Sequence, residues 1–556
     1  MTTVTEVLYQ TIQEEPDRIA LILHGPDGGQ VITYADLLRG SLGYANSLAC
    51  VGVQRNEPVI LLLQHGRPLI EAFFGAILYG AIPAIMPFLT EKLSPERYRQ
   101  SLEALIEITN PTAIITYPEF AEEVTRAREE GDSVRSVILW TEVEPAAEIS
   151  WETLGGMESE PEDIVLLQHS SGTTGLQKGV ALSHEAVLNQ LKAYAKAINM
   201  TGDDVVVSWL PLYHDMGLIA GFIMPILMRS RLVLMSPFDW IRAPYRLLSA
   251  ISQYGGTLSW LPNFAYNFMT SKVRDRDLES VDLSNWRAVI NCSEPMRWRS
   301  HDDFFNRFSK YGLKRQALAT CYAMAENVFA VTQGGIGTPV AVDEIDRHSL
   351  LENQIAIPAK GGEDAVRMLS AGRPIEGTSV RVLNADGMDL PDRTVGEIAL
   401  HGDCLLSGYY NRDDLTQEAF ADGWYITGDL GYFVDGELFV TGRKKELIIV
   451  GGKNVFPQDL EELAMEVEGV HPGRVVAFGL FNEDIGTEEI AVIAEVDVME
   501  DEARVKIGRE IRAQISRGSD VTARFVLTVD RGWLIKTSSG KIARGANREK
   551  YLQEFV

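Results

Sequence analysis

Basic residues are in short supply. Against 78 acidic side chains stand 51 lysines and arginines, for a net charge of −27. So acidic a chain opposes any nonspecific grip on nucleic acid or anionic membrane. Cysteine is scarcer still, with Cys50, Cys292, Cys321 and Cys404 the four present. Their wide spacing offers neither a CxxC zinc pattern nor a disulfide framework, and a reducing compartment is the natural reading. Long unbroken apolar runs are also lacking. Ala72 to Leu89 comes nearest to membrane-spanning length, but Gly75, Gly80, Pro83 and Pro87 interrupt it. A buried helix turning into a buried strand is therefore expected there, with no membrane span. The opening residues MTTVTEVLYQTIQEEPDR carry acids and no basic-then-apolar signal pattern. Together these absences point to a cytoplasmic protein that works on small molecules.

Length and alternation are what the chain does have. At 556 residues it exceeds one ordinary core, so two or more domains are expected. Helical and strand patterns alternate: EAFFGAILYG reads as helix, TAIITY and DIVLLQ as strands, EAVLNQLKAYAKAIN as helix and RLVLM as strand. That order favours an α/β architecture with substantially parallel sheets. Near 432-YFVDGELFVTGRKKELIIVGG-452 the pattern changes. An Asp435-Gly436 turn joins two short runs as a hairpin, the basic tripeptide Arg443 to Lys445 follows, and a helix starts from Gln458. The tripeptide marks the expected boundary before a small α+β unit.

The densest chemistry lies in 168-QHSSGTTGLQKGVALSH-184. DIVLLQ leads into it as a strand, and Ser183 stands where an N-cap would open the next helix. A glycine-rich turn between strand and helix exposes backbone N–H groups and favours an anion. Hydroxyls at Ser170, Ser171, Thr173 and Thr174 can follow a moving pyrophosphate. Gly172 and Gly175 allow close approach, and Lys178 adds positive charge. An ordinary polar loop has a similar composition. A Walker loop does not: counted from Gly172, GxxxxGK[ST] fails at Gln177 and Gly179.

This stretch resembles the phosphate loop of the adenylate-forming superfamily, which includes acyl-CoA ligases, peptide-synthetase adenylation domains and luciferases. Further motifs follow in that superfamily's order. The segment 291-NCSEP-295 resembles the turn that lines adenine, which makes Ser293, Glu294 and Pro295 nucleotide-binding candidates. The segment 321-CYAMAEN-327 resembles the motif whose tyrosine packs on adenine and whose glutamate holds magnesium, here Tyr322 and Glu326. Ala323 and Ala325 stand where that motif has glycine and threonine. The segment 423-GWYITGDLGY-432 is similar to the one whose aspartate binds both ribose hydroxyls, here Asp429. The segment 442-GRKKELIIVGGKNVFPQDLE-461 resembles the hinge, with Arg443 at ribose or phosphate and Lys445 as pivot. Finally, 536-KTSSGKIAR-544 matches the loop whose second lysine, Lys541, reaches the α-phosphate and the substrate carboxylate.

The resemblance implies a large multi-subdomain N-terminal domain of α/β layers over 1–442, a hinge at 443–446 and a small mobile α+β lid over 447–556. It implies ATP and Mg2+, an acyl-adenylate formed with release of pyrophosphate, and Lys541, Glu326, Thr174 and His214 at the reacting groups. Several details look most like the fatty acyl-AMP ligase branch: LLQ before the loop, 209-WLPLYHDMGLIAG-221, 262-PNFAYN-267 and 456-FPQDLE-461. A long span between Glu326 and Gly372, including 346-DRHSLLENQIAIPA-359, looks like that branch's insertion. That branch commonly passes the acyl group to the phosphopantetheine of an acyl carrier protein; free CoA is the alternative acceptor. A catalytically silent nucleotide or acyl binder is a third reading. Trp209, His214, Phe222, Trp260, Leu261 and Phe264 are the acyl-pocket candidates, with Trp260 and Leu261 where the branch often has two glycines. Within 504-RVKIGREIRAQISR-517, Arg504, Lys506, Arg509, Arg512 and Arg517 offer a basic docking face for an acidic carrier.

Overall fold

The computed structural model describes residues 2–26, 28–87, 95–127, 133–147, 151, 154–170, 178–359, 361–362, 365–450, 453–483, 487–498, 500–519, 521–537 and 541–555. Two seven-stranded sheets dominate the larger part. The first runs in the order Leu318–Thr320, Ala288–Asn291, Leu258–Leu261, Val205–Ser208, Arg231–Met235, Ile19–Gly25 and Gly28–Thr33. All its pairings are parallel except the terminal hairpin. The second runs Gly408–Tyr409, Lys178–Ser183, Ile164–Ser170, Ile82–Ile85, Pro58–Leu62, Ala113–Thr116 and Ser136–Leu139. It is parallel from Ile164–Ser170 onward, and strands such as Pro58–Leu62 are buried at every position, as helices on both faces require.

The segment Ala72 to Pro87 behaves as its pattern dictates. Helix Arg67–Tyr79 is buried along nearly its whole length and ends at Gly80, whose φ of 90° gives the left-handed cap that stops it. Strand Ile82–Ile85 follows, while Leu89 lies outside the described residues.

Antiparallel structure begins well before residue 432. Val342–Asp346 already pairs antiparallel with Ala365–Leu369, and Thr378–Leu383, Gly396–Gly402, Trp424–Val434 and Glu437–Arg443 form an antiparallel sheet. The early change has no sequence signal because short half-buried strands alternate weakly. The expected hairpin turn is present, with positive φ at both Asp435 (51°) and Gly436 (79°). Its register sets Asp429 opposite Arg443.

After Arg443 comes a smaller domain. A mixed sheet of Val470–Asn482, Thr487–Val496 and Ala523–Val529 is covered by helices Pro457–Met465, Asp501–Gly518 and Arg544–Phe555. Its cores, around Ile448, Leu460, Val475 and Ile511 on one side and Val476, Phe478 and Tyr551 on the other, share no residue with that of the large domain. The expected α/β fold with a large N-terminal and a small C-terminal domain is thus what forms.

Candidate active site

The carboxyl ends of the first sheet's parallel strands lie along one edge, the place where open α/β sheets bind ligands. His214 and Asp215 follow strand Val205–Ser208, Phe264 follows Leu258–Leu261, Ser293 and Glu294 follow Ala288–Asn291, and Tyr322 and Glu326 follow Leu318–Thr320. Two turns here are held in the left-handed region, Ser293 at φ 66° and Val328 at φ 59°. For a β-branched residue such as Val328 that conformation is strained, and strain of this kind clusters at functional sites.

The antiparallel sheet supplies the other wall. Tyr322 donates its hydroxyl to Asp429 Oδ2 at 2.6 Å, and Arg443 Nε donates to Asp429 Oδ1 at 3.0 Å. Three residues drawn from separate motifs are thereby joined. Asp429's negative charge, the largest influence on Arg443, pushes that guanidinium's pKa further up and keeps it cationic. Glu326 accepts from Tyr409 at 3.1 Å, Tyr409 lies 3.0 Å from the Tyr425 hydroxyl, and the Lys178 ammonium sits 4.6 Å from the Tyr409 ring centroid.

Electrostatics tie the small domain to this wall. The Lys541 charge acts on His214, Asp215 and Glu294, all in the large domain. Burial pushes the carboxyl groups of Asp215, Glu294 and Glu326 above their ordinary range, with Lys541 opposing the shift at the first two. Glu294 also accepts the Phe264 N–H at 2.8 Å. Burial, helped by Lys541, lowers the His214 pKa to about 3, so this histidine is neutral in ordinary conditions. Its Nε2 has no hydrogen-bond partner among the described residues. Among those residues no set of three or more His, Cys, Asp or Glu side chains could hold a metal ion. Magnesium does not need one, since it is held by one or two carboxylates together with substrate phosphates. The buried Glu326, whose one side-chain hydrogen bond among the described residues is from Tyr409, and Asp215, near enough for its charge to act on Glu326, offer those two carboxylates.

Some expectations require correction. The glycine-rich loop does not join a strand to a helix. Ile164–Ser170 and Lys178–Ser183 pair antiparallel, with Ser170 opposite Lys178, and the helix His184–Ala197 begins only after the second strand. Period-two alternation is too weak in KGVALS to show that strand in sequence. Ser171, Gly172, Thr173, Thr174 and Gly175 lie outside the described residues, and Ser170 is placed by its backbone alone. The acyl-pocket candidates Trp209, Phe222, Trp260 and Leu261 share the large domain's core, with Phe264 packed against it, but their ring contacts differ. Trp209 stacks on Trp240 at 3.6 Å with Phe264 edge-on to both. Phe222 packs instead on Phe73 and Phe74, and Trp260 donates to the Tyr194 hydroxyl at 2.8 Å. Leu261 is fully buried. Pro295 is exposed, and Lys445 sits in the exposed turn Lys444–Glu446. Asp215, Tyr409 and Tyr425 were missed. Asp215 adjoins His214 in sequence, but the two tyrosines carry no local signal.

The profile of the AMP-binding enzyme family matches residues 8–410. The chain belongs to that family. Among its AMP-binding relatives, the medium-chain-fatty-acid–[acyl-carrier-protein] ligase JamA of Moorena producens is 31% identical over 523 residues, covering 90% of this chain and 86% of JamA. The long-chain-fatty-acid–AMP ligase FadD26 of Mycobacterium tuberculosis is 29% identical, covering 99% and 97%. One of the fatty acyl-adenylate ligases solved from E. coli and L. pneumophila superposes with a TM-score of 0.90 at 27% identity, covering 100% of this chain and 98% of the other. Adenylate-forming ligase chemistry, with an acyl-adenylate as its product, follows from this membership. No helix among the described residues is long and apolar enough to cross a membrane.

Proposed function

We propose that this chain activates a fatty or other hydrophobic acid as its acyl-adenylate and passes the acyl group to the phosphopantetheine thiol of an acyl carrier protein. The observation that carries the reading is the hydrogen-bonded group Tyr322–Asp429–Arg443, which joins three motifs at one wall, with the Lys541 charge of the small domain acting on Asp215 and Glu294. A carboxylate oxygen attacks the α-phosphorus of ATP, forming the acyl–phosphate bond as the bond to pyrophosphate breaks. Both reactants are anions, so positive charge aimed at the phosphoryl oxygens is the main requirement. Lys541 supplies a charge that can be brought in and withdrawn. Glu326, with Asp215 beside it, would hold Mg2+, which when bound neutralises phosphate charge. Asp429 and Tyr322 serve ribose and adenine, with Ser293, Glu294 and Pro295 in the turn that lines the adenine and Arg443 at ribose or phosphate. Ser170, Ser171, Gly172, Thr173, Thr174, Gly175 and Lys178 are assigned to the leaving pyrophosphate by their motif. Neutral His214 positions the substrate carboxylate, which needs no general base because it is already ionised.

In this reading Trp209, Phe222, Trp260, Leu261 and Phe264, with His214, line the acyl pocket. The hinge at 443–446, pivoting on Lys445, lets the 447–556 domain withdraw Lys541 so that the thiol can reach the carbonyl. Carrier as acceptor is supported by JamA's name and by the exposed cations Lys506, Arg509 and Arg517 on helix Asp501–Gly518. Arg504 and Arg512 on that helix are tied to other elements, by Asp530 and by the carbonyls of Ala523 and Arg524, whereas Lys506 and Arg517 make contacts within the helix, to Glu510 and to Ala513 and Gln514. Four free thiols suit a cytoplasmic setting.

Acid-dependent pyrophosphate release across an acid panel tests the reading, each positive acid then being offered CoA or a phosphopantetheinylated carrier and the products weighed by mass spectrometry. Acylated carrier alone is expected. Acyl-CoA would make this a CoA ligase, and no release with any acid would leave a silent binder. Lys541→Ala is expected to lower pyrophosphate exchange by about a hundredfold, the scale of losing one transition-state charge donor, with ATP binding still measurable. Undiminished exchange would remove the lysine from the mechanism.

A further inference from the structure

Two residues beyond the Ser293–Pro295 turn, Arg297 stands between the domains. Its backbone N–H donates to Asn263 Oδ1 at 3.2 Å, and the same oxygen accepts from Asn291 at 3.0 Å. Asn263 in turn donates to Ser300 at 3.2 Å. This buried network ties the Arg297 backbone to the ends of strands Leu258–Leu261 and Ala288–Asn291, the two that carry Phe264 and Glu294. The side chain crosses to the small domain. Nη1 and Nη2 reach Asp459 Oδ1 at 3.2 and 3.3 Å, and Nη1 reaches Glu462 Oε2 at 3.1 Å. Beside it Arg299 meets Glu466 at 2.9 Å.

Asp459, Glu462 and Glu466 recur at intervals that place them on one face of helix Pro457–Met465 and its cap. That face is therefore an acidic stripe whose matching cations belong to the other domain. Arg297 is 23% exposed against 65% for Arg299, so its pairs are the less screened. The two domains have separate cores, and between domains joined this way relative motion is the default, with a few polar contacts fixing the orientation.

We propose that Arg297 is a positioning residue for adenylation: its ion pairs to Asp459 and Glu462 hold the small domain in the orientation that presents Lys541 to the large domain. The inference rests on the adenylation reading above. A contact made only in that orientation speeds the step that uses Lys541 and not the later acyl transfer, for which the lysine has withdrawn.

The test compares wild type, Arg297→Glu and the charge swap Arg297→Glu with Asp459→Arg. Acid-dependent pyrophosphate exchange is followed with octanoate, decanoate, laurate and phenylpropanoate, and acyl transfer from supplied acyl-adenylate to pantetheine is followed separately. In the single variant exchange is expected to fall about tenfold, the size of a coupling between contacting charges, with transfer unchanged; the swap restores exchange. Trypsin cleavage after Arg443 to Lys445, read by mass spectrometry, is expected to quicken in the single variant and revert in the swap. Equal losses in both half-reactions, or a swap that restores nothing, would overturn the proposal. If wild type exchanges with no acid, the adenylation reading fails by itself, and cleavage rates still decide whether Arg297 holds the domain: unchanged rates would overturn that as well.

Discussion

Asp429 has both carboxylate oxygens engaged, one by the Tyr322 hydroxyl and one by Arg443 Nε. Each oxygen keeps a further lone pair, so two ribose hydroxyls can still be accepted by a carboxylate already aimed and charge-balanced. Removing it would leave Arg443 without that partner and, in the reading proposed above, the ribose without its acceptor. Asp429→Ala is therefore expected to raise the ATP concentration for half-maximal exchange by about tenfold or more, since a lost charged hydrogen bond is worth about 1.5–3 kcal/mol. A lower maximal rate at unchanged ATP dependence would contradict the ribose role. Tyr322, Asp429 and Arg443 could each be picked out singly in the sequence, because each sits in a motif with its own spacing. Their hydrogen bonds could not, since they depend on how a sheet edge meets a hairpin. The same holds for Tyr409, whose hydroxyl finds Glu326 across 83 positions.

At the scale of elements, the helix His184–Ala197 shows how local chemistry frames the site. Ser183 ends the strand after the glycine-rich loop and its hydroxyl accepts the Ala186 N–H at 3.1 Å, satisfying one of the helix's free amides. Ser183→Ala is expected to lower unfolding stability by about 1 kcal/mol, and Ser183→Thr to recover much of it, as read from urea titrations. An equal loss in both variants would mean that packing at this buried position, not the cap, sets the cost. This cap was legible from sequence because capping is a relation between residues three apart. The antiparallel pairing of Ile164–Ser170 with Lys178–Ser183 was not, because a strand pairing is a relation across a loop.

Over the whole molecule, buried histidines set a pH dependence. Burial lowers His65, His169 and His184 to about 4 and His214 and His301 to about 3. A folded pKa below the unfolded value means that the unfolded chain takes up protons first. Stability from these groups is thus complete above about pH 6.5 and is lost as pH falls through the window toward 4 and 3. Asp215, Glu294 and Glu326, raised by burial, act in the opposite sense between the ordinary carboxyl range and their raised values. A single histidine isolates the effect. His184 Nδ1 accepts the Val4 N–H at 3.1 Å, which only an unprotonated nitrogen can do, so acid loosens the first helix, Val4–Glu14. Replacing His184 with Asn keeps an acceptor without the titration. Wild type is expected to lose about 1.6 kcal/mol relative to His184→Asn between pH 6.5 and 5, the slope approaching about 1.4 kcal/mol per pH unit for one proton, and parallel stability curves would exclude it.

The amino-acid sequence by itself determined the fold class, the order of the motifs and the residue types at the candidate site, because hydrophobic period, caps and glycine turns are relations between near neighbours. It also fixed the overall acidity. Only the tertiary structure decided that Tyr322, Asp429 and Arg443 share hydrogen bonds, that Trp209 stacks on Trp240 while Trp260 turns to Tyr194, and that the acidic stripe of helix Pro457–Met465 faces Arg297. These are relations between residues far apart in the chain. They come into being when sheets and domains pack, and a one-dimensional pattern holds no record of which distant side chain will supply the missing charge or donor.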